Sequence, residues 1–331
     1  MRVIGKLNLK KLPPRCWFML VLIVLIGRGC IFRPATAYPG AYFNQGTNAA
    51  WLSVDWVNAP HTSAEIVTLA ETLQAQQIRT VFVFASYLHP DGNFNPTYAY
   101  SQQFLATFKA AYPDVEAQAW IGLPLQYVAL QEAATRQKIV ELCVALVQVH
   151  GWDGVHLDPE PIIDGDENVL LLLQEIRSAL GDTPTLSIAT RRIWPIYPAI
   201  NWPLVGQVAW DAAYYHEIAR RVDQVAVMVY DSAMPWPILY RQWTRFQVIV
   251  LSQTLQDADV QVFVGVPTSE ERTWTHWPNA EQMRSGLLGV VDGLNDQQAY
   301  SAVITGVAIY PYWETSITDW AIYDELWLKH K

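Results

Sequence analysis

Residues 151–161 read GWDGVHLDPEP and set three ionisable side chains, His156, Asp158 and Glu160, two positions apart. In an extended strand alternate side chains share a face, so the three stand in one row with neighbours about 6 to 7 Å apart. Burying such a row is costly unless its members are paired or used. Val155, Leu157 and Ile162 mark the segment as buried, and Pro159 and Pro161 interrupt the ladder where a loop should open. The chemistry on offer is proton transfer. A glutamate that acts as general acid near neutral pH needs a raised pKa, and partial burial beside the like charge of Asp158 raises it. Asp153 has the opposite parity and reads as a structural residue at the strand entrance. The same residue types also ligate divalent ions. The remaining histidines (His61, His89, His150, His216, His276, His330) form no H-x-H pair and no strand-end cluster, so no metal or other cofactor is expected.

The elements that must hold this row alternate regularly along the chain. Strand-like runs at 51–58, 80–88, 115–124, 151–161, 184–192, 222–231, 260–267 and 304–313 are each followed by a segment of helical periodicity. Val- and Ile-rich runs separated by amphipathic helices argue for parallel strands covered on both faces. Eight such units in about 280 residues predict an α/β fold, a single (β/α)8 TIM barrel over residues 38–331. An open doubly wound sheet would normally carry a glycine-rich loop after its first strand, and WLSVDWVNAPHT has none. The barrel also predicts location, because active sites gather at the C-terminal ends of the strands, where Asp158 and Glu160 fall.

DGVHLDPE (153–160) resembles the DGxDxDxE signature of the family 18 glycoside hydrolases, the chitinase-like enzymes. MVYD (228–231) on the sixth strand is similar to that family's M-x-Y-D segment, and Trp313 in GVAIYPYW to its platform tryptophan. The resemblance implies Glu160 as general acid, Asp158 as the carboxylate that orients an N-acetyl group, and Tyr230 as the hydroxyl that holds the same group. It also implies Asp231, Met228 and Trp313 as substrate-binding residues, and a retaining mechanism in which the acetamido carbonyl is the nucleophile. His156 departs from the pattern, which has aspartate there; the expectation is that its imidazole takes over the support of Asp158 by a hydrogen bond. The expected partner is an oligo- or polysaccharide. Two alternatives stand beside this reading: a catalytically inactive carbohydrate-binding barrel, against which the presence of Glu160 speaks, and a metal-dependent hydrolase.

Fifteen tryptophans are many for this length. Trp194, Trp236, Trp274, Trp277 and Trp313 fall near strand ends, where flat apolar rings would suit a glycan cleft. Trp243, Trp320 and Trp327 lie on helical patterns and read as packing, while Tyr87, Gln118 and Arg191 are further candidates for the cavity wall.

Residues 1–37 differ in kind: a basic start, the apolar run CWFMLVLIVLIG at 16–27, and a small-residue end at Ala37. This is the pattern of a secretory signal, and the apolar run is short of the roughly 20 residues of a membrane span. Export to the periplasm or exterior is expected, with membrane contact only through this segment if it is retained. Seven of the 22 Lys and Arg and none of the 31 Asp and Glu lie there, which leaves the remainder at a formal −16. Such a surface repels phosphate backbones, so nucleic acid is not a partner. Cys143 alone among the cysteines lies outside the leader, on the apolar side of a helical run, and reads as a buried thiol.

Overall fold

The structure, a computed structural model, describes residues 37–193 and 209–328. The leader before Ala37 and Trp194 lie outside the described residues. The barrel strands are β1 (Asn48–Leu52), β2 (Ile78–Tyr87), β3 (Glu116–Pro124), β4 (Gly154–Glu160), β5 (Thr185–Thr190), β8 (Gln224–Val227), β9 (Gln261–Pro267) and β10 (Ile304–Tyr310). They pair in parallel in that order, and β10 returns to β1 to close the cylinder. A small side pair, β6 (Arg192–Ile193) with β7 (Ala209–Trp210), follows β5. The expected TIM barrel is therefore the fold. Among the described residues no helix is long and apolar enough to cross a membrane.

Helices α1 (Ser63–Ala75), α2 (Ser101–Ala111), α3 (Ala133–Gln148), α4 (Glu167–Leu180), α5 (Ala212–Ala219), α6 (Pro237–Thr254), α7 (Met283–Leu294) and α8 (Ile317–Tyr323) follow the eight strands in turn. Their starts are written in the sequence: Thr62 and Glu65 form a reciprocal capping box at α1, and Asp166 caps α4 by accepting from the Asn168 N–H. Each then buries one stripe, such as Val169, Leu172, Leu173, Ile176 and Leu180 on α4. Cys143 on α3 is fully buried, and burial pushes its thiol pKa up.

Alternation sorts the strand residues between two cores. Outward residues such as Val155 and Leu157 pack under the helices, while Ala49, Trp51, Phe82, Trp120, Ala226, Phe263 and Ala308 fill the cylinder. Several strands are shorter than expected, and two stop furthest before their expected ends. The first ends at Leu52, where the Ser53 hydroxyl accepts from the Asp55 N–H and turns the chain into a helical segment, Asp55–Asn58. The sixth ends at Val227, and Asp231 and Ala233 take the left-handed region at φ 55° and 58°. The MVYD segment is thus a loop at the barrel mouth rather than strand.

Candidate active site

β3 and β4 run in register with Trp120 beside His156, Gly122 beside Asp158 and Pro124 beside Glu160. The predicted row does face the barrel interior, but its three members meet different partners. His156 is fully buried and stacks on Phe82 at 3.8 Å between ring centres. Its Nε2 accepts from the Trp51 indole N–H at 3.1 Å, and its Nδ1 lies 2.7 Å from the Ser187 hydroxyl. An indole nitrogen is donor-only, so Nε2 must be bare and the proton of a neutral ring sits on Nδ1. Burial in addition holds the pKa well below that of an ordinary histidine. The expected bond from His156 to Asp158 is not formed, because both ring nitrogens are engaged elsewhere. The chain continues from Ser187 to Gln118, to Gln224 and to Glu116, a buried polar thread across the barrel floor. Gln118 belongs to this thread and is fully buried, which removes it from the cavity wall.

Asp158 finds its partner on β3. The Trp120 indole N–H donates to Oδ2 at 3.0 Å, and Oδ1 is buried without a hydrogen-bond partner. Burial, and after it the Glu160 carboxylate, pushes its pKa up to about 8. Glu160, the last residue of β4, is solvent-accessible. The surrounding walls still raise its pKa by desolvation, with Asp231 adding to the rise and Arg191 and Arg192 opposing it. The two carboxyls therefore titrate as a pair.

Tyr230 is buried, with its ring stacked on Tyr310 at 5.1 Å and 7°. Burial raises its pKa, followed by the neighbouring Tyr310, Asp231, Asp158 and Glu160. Gly265 on β9 makes room for this ring, since a Cβ there would lie 2.8 Å from Tyr230 Cε1. The Tyr230 carbonyl accepts from Arg192, and the N–H groups of Asp231 and Ser232 donate to the Glu281 carboxylate at 2.6 and 3.0 Å. Met228 stays tied to β5 through its N–H and the Thr190 carbonyl. Trp313 stands half-exposed and edge-on to Tyr310 at 6.1 Å. Trp274 is 97% exposed, Trp236 is exposed, and Trp277 carries the Arg272 guanidinium 4.3 Å above its ring. Among the described residues, no hydrogen bond joins Trp274 or Trp277 to the carboxyl pair. Asp153 sits at the strand entrance, where it binds Lys109 at 2.6 Å and the Ala117 N–H at 2.9 Å.

Asp231, His276 and Glu281 form a cluster that could in principle hold a cation. The hydrogen bonds argue otherwise. His276 Nε2 faces the Ser269 carbonyl at 3.0 Å and Nδ1 faces Glu281 at 3.2 Å and Asp231 at 3.5 Å, so both nitrogens carry protons. Burial alone would lower its pKa, but the bonds to Asp231, Glu281 and Ser269 outweigh it and push it up to about 10. An imidazolium has no lone pair for a metal.

Sequence reasoning missed Trp120, Tyr310, Arg192, His276 and Glu281. Trp120 and Tyr310 were within reach, since each shares the inward parity of its strand near the mouth. His276 and Glu281 lie around loops without periodicity, and no sequence signal places them.

The sequence pattern of the Glycosyl hydrolases family 18 matches residues 56–326, and the chain belongs to that family. No curated protein matches. Among solved structures, a Group IV chitinase from Ostrinia furnacalis is similar with a TM-score of 0.57 and 12% identity, covering 86% of this chain and 100% of that one. The spore cortex-lytic enzyme SleL of Bacillus cereus aligns with a TM-score of 0.54 at 14% identity over 85% of this chain and 74% of its own. A chitinase from Chromobacterium violaceum gives 0.56 at 12% over 86% and 99%. These likenesses concern the fold.

Proposed function

We propose that the chain is an exported glycoside hydrolase that cleaves a β-linked, N-acetylhexosamine-containing glycan by a retaining, substrate-assisted route. Family membership supports a polysaccharide partner. The observation that carries the reading is the carboxyl pair at the end of β4, where accessible Glu160, its pKa raised by desolvation, stands beside buried Asp158 and is walled by Tyr230 and Tyr310. Glu160 gives its proton to the glycosidic oxygen as the bond to the anomeric carbon breaks. The acetamido carbonyl oxygen of the same sugar bonds to that carbon, so no second carboxylate attacks. Ionised Asp158 balances the resulting positive ring and accepts from its N–H, while the Tyr230 hydroxyl donates to the acetamido oxygen. Water, deprotonated by Glu160, then opens the ring and restores the starting configuration.

A chromogenic N-acetylglucosamine oligomer tests this. The wild-type protein should turn it over with a chelator present, and Glu160→Gln should lower kcat by about 10²- to 10⁴-fold without loss of binding. Binding without turnover in the wild type would instead mark a carbohydrate-binding barrel, and loss of activity to the chelator a metal enzyme. Export rests on residues 1–37, and recovery of the unprocessed protein solely from the cytosol would refute it.

A further inference from the structure

The row on β4 is held by indoles rather than by its own members. Trp51 on β1 takes His156 and Trp120 on β3 takes Asp158, and nothing passes between His156 and Asp158. An acidic residue at position 156 could share a proton with its neighbour at 158. A neutral imidazole with both nitrogens committed cannot, so Asp158 exchanges protons only toward the mouth. Among the described residues, the only hydrogen bond to its carboxyl is the one from Trp120.

We propose that Trp120 is a positioning residue, which fixes the Asp158 carboxyl through Oδ2 and so reserves Oδ1 as the acceptor for a substrate amide N–H. This rests on the reading of the chain as a glycosidase for N-acetylated sugars. The argument begins with Oδ1. A buried carboxylate oxygen without a donor is costly, and the cost is relieved either by a proton on that oxygen or by a ligand that donates to it. Trp120 occupies Oδ2 with a donor that cannot become an acceptor, so the proton of the resting state and the substrate N–H compete for the same oxygen. When the amide N–H arrives the resting proton leaves to water at the mouth and Asp158 ionises, the form the positive intermediate requires. The remaining groups that face Asp158 are Glu160 on its own strand, Tyr230 after β8 and Tyr310 on β10, while Asp231, Arg191 and Arg192 act on Glu160. None of the three that face Asp158 bonds to Oδ1.

Removing the indole N–H takes a hydrogen bond from the charged form, so the titration of Asp158 moves to higher pH. The experiment follows the Asp158 carboxyl by ¹³C NMR in aspartate-labelled protein, assigned with Asp158→Asn, alongside the pH profile of kcat/KM on the N-acetylated oligomer. In Trp120→Phe both the titration midpoint and the acidic limb of the pH profile should move up by about one pH unit. If Trp120→Phe does not fold, benzothienylalanine at position 120 keeps the bicyclic shape and lacks the donor. A packing role would lower kcat or stability and leave the midpoint where it was, and an unmoved midpoint in the folded variant overturns the proposal. Should the wild type hydrolyse no N-acetylated oligomer while the midpoint moves, the assigned reaction falls and the positioning of Asp158 stands.

Discussion

Replacement of His156 by leucine tests the neutral, buried state of that ring. At pH 7.5 the variant leaves the Trp51 N–H unpaired in the barrel interior, which costs about 1–3 kcal/mol. The pH dependence is more specific. The folded-state pKa of His156 lies well below 6.5 and the unfolded ring titrates near 6.5, so unfolding takes up a proton once the pH falls below that value. Its contribution is therefore fully present above pH 6.5 and declines on acidification, at about 1.4 kcal/mol per pH unit. As the pH falls from 6.5 toward the folded-state pKa, the wild type should lose stability that the leucine variant keeps, at up to about 1.4 kcal/mol per unit. Asp158 and His276 also shift, but in the same direction in both chains, so the difference isolates His156. Urea unfolding followed by tryptophan fluorescence at a series of pH values gives the two curves. The gap between them should narrow steadily as the pH drops below 6.5. A constant gap would mean that the ring titrates normally in the fold; a widening one would mean that it is charged there.

Two further outcomes follow from the mouth. On the proposed route, Tyr230→Phe removes one donor to the acetamido oxygen and should lower kcat/KM on an N-acetylated oligomer by about 10- to 100-fold, measured by steady-state kinetics. His276 has its folded pKa raised to about 10, so its stabilisation is complete below roughly pH 6.5 and fades as the pH climbs toward 10. His276→Gln should abolish that alkaline decline in thermal unfolding, and an unchanged decline would show the ring to be neutral.

The barrel was legible because parallel strands covered on both faces leave continuous Val and Ile runs, and because caps such as Thr62 and Asp166 mark where helices begin. The row on β4 was legible for the same reason of parity. What a side chain bonds to was not. His156 reaches across to Trp51 and Ser187, residues 105 and 31 positions away, and no local spacing carries that information. The ends of β1 and β8 were misread because a serine hydroxyl and two left-handed residues stopped runs whose composition still looked extended. The grip on the Asp231 turn lies in loops, where Glu281 accepts from two backbone N–H groups and a hydroxyl without any periodic signature.

The polar thread across the floor has a grammar. It begins at an indole that can only give and ends at a carboxylate that can only receive, so the orientation of every hydroxyl, amide and ring between Trp51 and Glu116 is dictated from its two ends. An aspartate at position 156 would put a second receiver mid-sentence; Ser187 would have to turn its hydrogen backwards and strand the Gln118 carbonyl. The histidine is thus bound in one phrase with Ser187, Gln118 and Gln224, and a graft that places an acid at position 156 should succeed only when those words are rewritten with it.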